Sequence, residues 1–443
     1  MAEPLKLGLA GLGTVGSATV RMLVRSKDEL AARAGRPIEL KAYASKDPPR
    51  DNTIDLSNIR KVDSPVALAA DPEIDVFVEL MGGAGDPAKS SVEAAFNAGH
   101  GVVTANKALI AKHGVQLAKL AERMNAPFSF EAAVAGGIPV IKTLREGLGG
   151  AHISRVYGIL NGTCNYILTQ MLKEKRSFAD CLKEAQRLGY AEADPTFDIG
   201  GFDTAHKTAI LTSIAFGTEI DADAIYIEGI ESITLADLEA ADDLGYRVKL
   251  LGVATRNASG IEQRVHPTMV PKGSVIAEID GVLNGVAIDS DMMGLTLVGP
   301  GAGGDATSSA VVADIVDLAA GRRVYPFGRP AAKLAKLARA PMQRHEGGYY
   351  IRLAAIDKPG TAATIARRMA DENISLESIM QHRKASRPHG GDDPKSAGAA
   401  ASVVLITYAT TEDAVRRALA TIEREGVLAE QPQIIRIEKS HSY

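Results

Sequence analysis

Two cysteines, Cys164 and Cys181, are all the thiol that this chain of 443 residues carries, and neither has a metal-ligand spacing or a His/Asn setting. A disulfide framework and a thiolate metal centre drop out, and reduced thiols in the cytosol are the expectation. Basic excess is missing too. The formal net charge is -4 and no dense Lys/Arg stripe runs along any predicted helix, so polyanion binding is set aside. Membrane-length apolar segments are absent: no stretch approaches the roughly 20 consecutive apolar residues that span a bilayer. The opening Met1-Ala-Glu-Pro-Leu-Lys-Leu has an acid where a signal peptide is basic, so it reads as a first strand and the expected location is the cytoplasm. With 46% hydrophobic and 23% charged residues the composition is that of an ordinary globular protein, and the length allows two or three domains.

The apolar run Leu5–Ala10 ends in Gly11-Leu12-Gly13-Thr14-Val15-Gly16, and Val20, Leu23, Val24 and Leu30 then predict a helix over Ser17–Ala32. Strand, Gly-x-Gly-x-x-Gly, helix is the context that gives this motif weight. The glycines permit a tight turn and close backbone approach, and the helix start turns unpaired N–H groups toward a pyrophosphate. Further strands fit at Ile38–Tyr43, Val76–Leu80 and Gly101–Thr104, with helices between them. The class is therefore α/β, with a Rossmann-type doubly wound parallel sheet over residues 1–133. After the second strand comes Ala44-Ser45-Lys46-Asp47-Pro48-Pro49-Arg50. The Ser45 hydroxyl with Lys46 and Arg50 suits the 2′-phosphate of NADP, while Asp47 keeps NAD open.

Thr104-Ala-Asn-Lys107 follows the strand Gly101–Thr104 and enters a helix over Ala108–Arg123. A lysine there lies at the crevice of an open α/β sheet; the plainer reading is a solvated lysine at a helix start. Phe128-Ser-Phe-Glu131-Ala-Ala-Val134-Ala-Gly136-Gly137-Ile138-Pro139 then leaves the first unit. By itself this reads as a hinge whose Gly-Gly-Ile-Pro turn frees backbone carbonyls.

Residues 134–305 read as an α+β unit for substrate binding and dimerisation. Strands are expected at Ile153–Leu160, Arg247–Ala254, Ile261–Met269 and Gly294–Val298, and helices at Asn165–Lys173, Ser177–Leu188, Ala205–Phe216 and Leu235–Asp242. Gly299-Pro-Gly-Ala-Gly-Gly304-Asp305 opens a long helix to Ala320, either as a capping turn or as a second anion-facing helix start over the cofactor. This returning helix and a connector occupy 306–346.

Within that unit, Gly189 to Lys207 puts Glu192, Asp194, Asp198 and Asp203 on a loop broken by glycine and proline that leads into a helix bearing one lysine. Such carboxylates can grip an ammonium while a cation acts on a neighbouring oxygen. The plainer reading pairs Asp203 with Lys207 along the helix and makes Asp203 its N-cap. An exposed pair of that kind contributes only about 0.3–0.5 kcal/mol, and the apolar helix beyond it places Lys207 at the edge of a core. Partial burial lowers a lysine from its usual value of about 10.4 toward the range useful for proton transfer.

From Tyr349 to Ile356 the sequence alternates as a strand, followed by Asp357-Lys-Pro-Gly360, a helix over Thr361–Glu372 and a strand over Ile374–Gln381. After a polar insert at 383–398 come a strand at Ser402–Tyr408, a helix at Glu412–Glu425 and a last strand at Gln433–Ile437. This βαββαβ order over 347–443 is ferredoxin-like. The insert has almost no apolar residues to offset its ordering entropy and is expected to be mobile.

Three of these motifs, the Gly189–Lys207 segment, Asn161-Gly-Thr-Cys-Asn-Tyr-Ile-Leu-Thr-Gln-Met171 and Thr104-Ala-Asn-Lys107, stand behind the dinucleotide fingerprint, and together they resemble the homoserine dehydrogenases. The tail resembles an ACT domain, a module that binds a free amino acid; the plainer reading is a dimerisation domain. The resemblance implies NADP-dependent reduction of L-aspartate 4-semialdehyde to L-homoserine, with Lys207 supplying a proton and Lys107 aligning the carbonyl. It also implies Glu192 at the substrate's amino group, Asp203 orienting Lys207, Asp198 beside them, and Gly304 by the nicotinamide. A monovalent cation, sodium or another, is implied at main-chain oxygens of Val134, Gly136 and Ile138 with Glu131 nearby. Threonine as effector and a homodimer or homotetramer complete the expectation. Two rivals stay open: a Schiff-base lyase using Lys107 or Lys207 as nucleophile, and an amino-acid sensor with a vestigial nucleotide domain.

Overall fold

The computed structural model describes residues 2–336, 339–382 and 400–438, and the insert at 383–398 lies outside them. The first sheet is built from β1 (Leu5–Ala10), β2 (Ile38–Ala44), β3 (Arg60–Lys61), β4 (Val76–Glu79), β5 (Gly101–Thr104) and β6 (Phe128–Ser129). All pair in parallel, in the order β3-β2-β1-β4-β5-β6. That is the doubly wound Rossmann order, whose switch point between β1 and β4 opens a crevice at the carboxyl ends of the strands. Both faces are covered, as parallel sheets require. Phe77 and Val102 enter one apolar cluster, while Leu7, Val78 and Val103 enter another with Val311 and Ile315 of the helix Gly304–Ala319. A segment from late in the chain thus completes the first unit.

The run expected as one helix over Ser17–Ala32 is two, Thr14–Arg25 and Lys27–Ala34. Gly13 caps the first, so it starts inside the fingerprint. At Ser26 the backbone leaves helical geometry (φ -110°, ψ 20°), and a new helix begins with Asp28 and Glu29 in its first turn, where acids complement the helix dipole.

The second sheet carries β7 (Ile153–Ile159), β8 (Tyr226–Ile227), β9 (Tyr246–Asn257), β10 (Gly260–Pro271), β11 (Leu283–Ser290) and β12 (Gly294–Pro300). It continues into the C-terminal unit through β13 (Glu346–Ile356), β14 (Leu376–His382), β15 (Ala400–Thr407), β16 (Thr410–Thr411) and β17 (Gln433–Ile437). Its path is β12-β11-β7-β9-β10-β17-β13-β15-β14. β11 is absent from the strands expected from sequence; burial of Val286 and Ile288 holds it as a strand between β7 and β12.

Within the C-terminal unit the order β17-β13-β15-β14, antiparallel throughout, with helices Thr361–Asp371 and Glu412–Arg424, is the ferredoxin-like arrangement. The unit does not stand apart. β17 pairs in parallel with β10, Thr268 opposite Arg436 and Met269 opposite Ile437. Alternation then buries both faces of β13: Tyr349 and Ile351 enter the tail's own cluster, whereas Tyr350 enters that of the second unit. Among the described residues, no helix is long and apolar enough to cross a membrane.

Candidate active site

Three helix starts and one strand end converge on Asp203. The helix Lys107–Arg123 begins where β5 ends, and its entry is built from polar groups. Thr104 Oγ1 donates to the buried Glu79 carboxylate at 2.6 Å and accepts the Asn106 N–H at 2.9 Å. Asn106 caps the helix by accepting the Leu109 N–H at 3.0 Å, and its amide donates to the Gly83 carbonyl at 2.7 Å. The Thr104-Ala-Asn stretch therefore fixes the position of Lys107, the very next residue.

The helix Phe202–Phe216 begins after Gly201 (φ 86°), so Asp203 lies in its first turn and is not the N-cap. Its side chain is engaged elsewhere. Asp203 Oδ1 lies 2.6 Å from Lys107 Nζ, and Oδ2 accepts from Lys207 Nζ at 2.7 Å. Lys207 Nζ also donates to the Leu160 carbonyl at 2.6 Å, just past the end of β7. An ammonium has three N–H donors, and these two bonds leave one to face a ligand. Asp203 is 3% exposed and Lys207 8%. Burial opposes the Asp203 charge, but Lys207 and Lys107 outweigh it and hold its carboxyl well below the usual range. The two lysines are pushed apart. Burial dominates at Lys207 and lowers it despite Asp203; at Lys107 burial also opposes the charge, but Asp203, Asp198 and Glu192 together raise it. Lys107 is made to hold its proton more tightly and Lys207 is brought closer to giving its own up.

Asn161 joins the second carboxylate to this centre. Its amide donates to Asp198 Oδ1 and to Asp203 Oδ2, each at 2.9 Å, while its own Oδ1 accepts the Cys164 N–H and caps the helix Gly162–Glu174. Asp198 is raised, by burial first and by the Asp203 charge second. The structure so brings together Lys107, Asp198, Asp203 and Lys207. Glu192 stands exposed on the same loop with its charge felt at Lys107. Asp194 turns away and accepts the Thr196 N–H at 3.1 Å, starting the short helix Thr196–Ile199.

At the fingerprint the three glycines divide the work. Gly11 takes φ 97°, and a Cβ there would meet the Leu80 carbonyl at 2.5 Å; a Cβ on Gly16 would meet the Gly11 carbonyl at 1.9 Å. A Cβ on Gly13 would enter open space, the side from which a pyrophosphate approaches the backbone. The donor set therefore fits a dinucleotide. Beside it is a cavity of about 410 Å³ bordered by Thr14, Arg21, Arg50, Asp51, Gly304 and Asp305. The Arg50 N–H donates to the Leu12 carbonyl at 3.2 Å, which draws the loop after β2 onto the fingerprint. Lys46 is exposed, and Ser45 turns its hydroxyl back to the Asp47 carbonyl at 2.7 Å.

The family model for homoserine dehydrogenase matches residues 139–316, and that for the homoserine dehydrogenase NAD-binding domain matches residues 11–131. The chain is 42% identical to homoserine dehydrogenase of Neisseria gonorrhoeae over 99% of this chain and 100% of that one, and 44% identical to that of Pseudomonas aeruginosa over 96% and 97%. The crystal structure of a homoserine dehydrogenase from Thiobacillus denitrificans superposes with a TM-score of 0.90 at 41% identity, covering 98% of each chain. The chain belongs to the homoserine dehydrogenase family. It is an NAD(P)-dependent oxidoreductase whose nicotinamide nucleotide is bound by the first unit.

Sequence reading missed several groups at this homoserine dehydrogenase site. Asn161 opens the Asn161–Met171 motif as the cap of the helix Gly162–Glu174, and an asparagine before a helix start is the signal that could have found it. Glu79 ends a buried strand at the crevice, which is itself a signal. Arg21 pairs with Asp51 and, at 2.5 Å, with Asp305 across the mouth of the 410 Å³ cavity, a meeting no local pattern reveals.

At the hinge, Ala135 and Gly136 are both left-handed (φ 55° and 46°), and the Gly137 N–H donates to the Pro300 carbonyl at 3.0 Å. The Ile138 carbonyl accepts the Val140 N–H at 2.7 Å. The Glu131 carboxylate accepts the Ile141 and Lys142 N–H groups at 2.9 and 2.8 Å, and burial with the Asp314 charge raises it to about 7.

Proposed function

We propose that this chain reduces L-aspartate 4-semialdehyde to L-homoserine with NADPH, in the biosynthesis of threonine, isoleucine and methionine in the cytoplasm. The observation that carries the reading is the single Asp203 carboxylate held between Lys107 and Lys207. Where a nicotinamide is bound, the chemistry it supplies is hydride delivery to the aldehyde carbon. The residues supply alignment and the proton. Lys107, kept charged, draws the carbonyl oxygen into line and stabilises the negative charge that develops there. Lys207, lowered by burial, gives its proton to that oxygen, directly or through a water. Asp203 is left hydrogen-bonded to the amine and orients it. Glu192 takes the substrate's ammonium, with Asp198 and Asp203 adding negative charge along the same wall.

NADP is preferred over NAD in this reading because Arg50 borders the cavity beside the fingerprint. Gly11, Leu12, Gly13, Thr14, Val15 and Gly16 would cradle the pyrophosphate, Ser45, Lys46 and Arg50 the adenosine phosphate, and Lys107 and Gly304 the nicotinamide end. A monovalent cation such as sodium would sit at the Val134, Gly136 and Ile138 carbonyls beside Glu131; two consecutive left-handed residues there support it, since they turn carbonyls out of regular pairing. Its role is to brace the hinge. The working division is 1–133 for nucleotide, 134–305 for substrate and dimerisation, 306–346 for the returning helix and linker, and 347–443 as an ACT-like regulatory unit that binds threonine. The assembly is a homodimer or homotetramer.

Parallel assays of L-homoserine oxidation with NADP and NAD test the reading. Homoserine-dependent formation of NADPH, faster at equal cofactor than formation of NADH, is expected. No homoserine-dependent reduction of either nucleotide would end it.

A further inference from the structure

Arg436 on β17 is 1% exposed, and all its partners are acids or a phenol. Its guanidinium donates to Glu228 Oε2 at 2.5 Å and to Glu412 Oε1 at 2.6 Å. Glu412, 2% exposed, opens the helix Glu412–Arg424; one turn on, Arg416 lies 2.7 Å from Glu412 Oε1 and 3.6 Å from Glu228 Oε1. The Tyr226 hydroxyl donates to Glu228 and accepts from Arg416 at 3.0 Å and Arg436 at 3.2 Å. Two arginines therefore face two glutamates in a closed set, with the carboxyl of Glu228 held below its usual range: burial opposes its charge, and Arg436 outweighs it. Arg436 and Glu412 are its buried half, and a buried pair is a weak contributor to stability because desolvation consumes most of the Coulombic gain; Glu228 and Arg416 reach the surface. The arginines and Glu412 belong to the C-terminal unit; Tyr226 and Glu228 belong to the substrate unit.

The backbone just past Glu228 carries the reach of this set toward the active site. A Cβ added to Gly229 would lie 2.3 Å from the Ile199 carbonyl and 2.8 Å from Gly200 Cα, so the two backbones touch there. The next N–H, of Ile230, donates to the same Ile199 carbonyl at 2.9 Å. Ile199 is the neighbour of Asp198 in the short helix Thr196–Ile199, and its side chain is buried in the apolar cluster of the substrate unit, so the turn is seated on that unit through Ile199. On the other side, the Glu228 N–H donates to the Val265 carbonyl of β10 at 2.8 Å, and β10 carries the pairing with β17.

We propose that Arg436 and Arg416, by gripping Glu228, position the 196–200 turn and with it Asp198, so that the C-terminal unit is a working part of the substrate site. The proposal rests on the reading of that turn as the substrate loop. Glu228 is a positioning residue: it acts through the Gly229-Ile230 backbone. Movement of β17 or of the helix Glu412–Arg424, from whatever cause, is transmitted to homoserine binding by a path two residues long.

Steady-state kinetics of the full-length enzyme test this. Glu228→Gln keeps the side chain's size and removes the charge the arginines hold, while Gly229→Ala pushes the turn directly without touching the ionic set. The proposal expects both to raise KM for homoserine about 2- to 30-fold, the range of such couplings, with KM for the nicotinamide nucleotide unchanged. That split is one a general loss of structure does not produce. A homoserine KM raised by Gly229→Ala and untouched by Glu228→Gln overturns the proposal and leaves the substrate loop standing. A homoserine KM untouched by both removes the loop assignment and the proposal with it. Should Gly229→Ala not fold, Tyr226→Phe loosens Glu228 without leaving a charge unpaired; it is expected to give the same split, and an unchanged homoserine KM there overturns the proposal.

Discussion

Asp203 gives one carboxylate oxygen to each of two lysines, Oδ1 at 2.6 Å from Lys107 Nζ and Oδ2 at 2.7 Å from Lys207 Nζ. At 3% exposure its charge is favoured chiefly by those two cations, which outweigh the cost of burial.

Asp203→Asn leaves two ammonium groups without their shared counter-charge, which costs about 3–5 kcal/mol of stability near neutrality. The native pKa is depressed, so the stabilisation is fully present above the unfolded value of about 3.9 and is lost as pH falls through the native value. Urea unfolding of wild type and variant across the acid range is therefore expected to show a wide gap above about pH 5 that narrows below about pH 4. A gap that widens on acidification would contradict the pairing.

Arg50→Ala is expected to raise KM for NADPH about tenfold or more, the loss of one charged hydrogen bond, and to leave KM for NADH unchanged. Equal effects on the two nucleotides would remove Arg50 from recognition of the 2′-phosphate and return Asp47 to consideration.

Threonine inhibition is expected to weaken at least about tenfold in Asp357→Ala, with the uninhibited rate preserved, a loss equal to one well-made ligand contact. The site for this prediction is the turn at Asp357-Lys-Pro-Gly360, where Gly360 takes φ 94° before the helix Thr361–Asp371. Inhibition curves that superpose on wild type would put the effector elsewhere. Point substitution is the right probe here because β17 is paired to β10, so deleting the tail would strip an edge from the substrate unit's own sheet.

Most strands of the first unit were legible because each is buried on both faces and bounded by glycine or polar turns, as β1, β4 and β5 are. β11 was not, since Asn284-Gly285 near its start has the chemistry of a turn and only pairing with β12 and β7 on either side overrules it. Lys107 and Lys207 are the same residue type a hundred positions apart, and nothing in pattern or composition says they share a carboxylate; family resemblance supplied their roles and the fold supplies the meeting. Asp203 was legible as a helix-start acid with two readings, and the plainer one, an N-cap, gives way: Gly201 precedes the helix and the carboxylate reaches Lys207 on its own helix and Lys107 on another. Arg21 with Asp305, 284 positions apart, and Arg436 with Glu228, 208 apart, are products of topology alone.

Proton supply by Lys207 is tested most sharply by kcat for NADP-dependent homoserine oxidation in Lys207→Met beside wild type, with nucleotide affinity measured on the same samples. A group acting mainly in the transition state predicts a fall of about 10²–10⁴-fold in kcat with nucleotide binding intact. A Lys207→Met enzyme turning over at close to the wild-type rate would contradict that role.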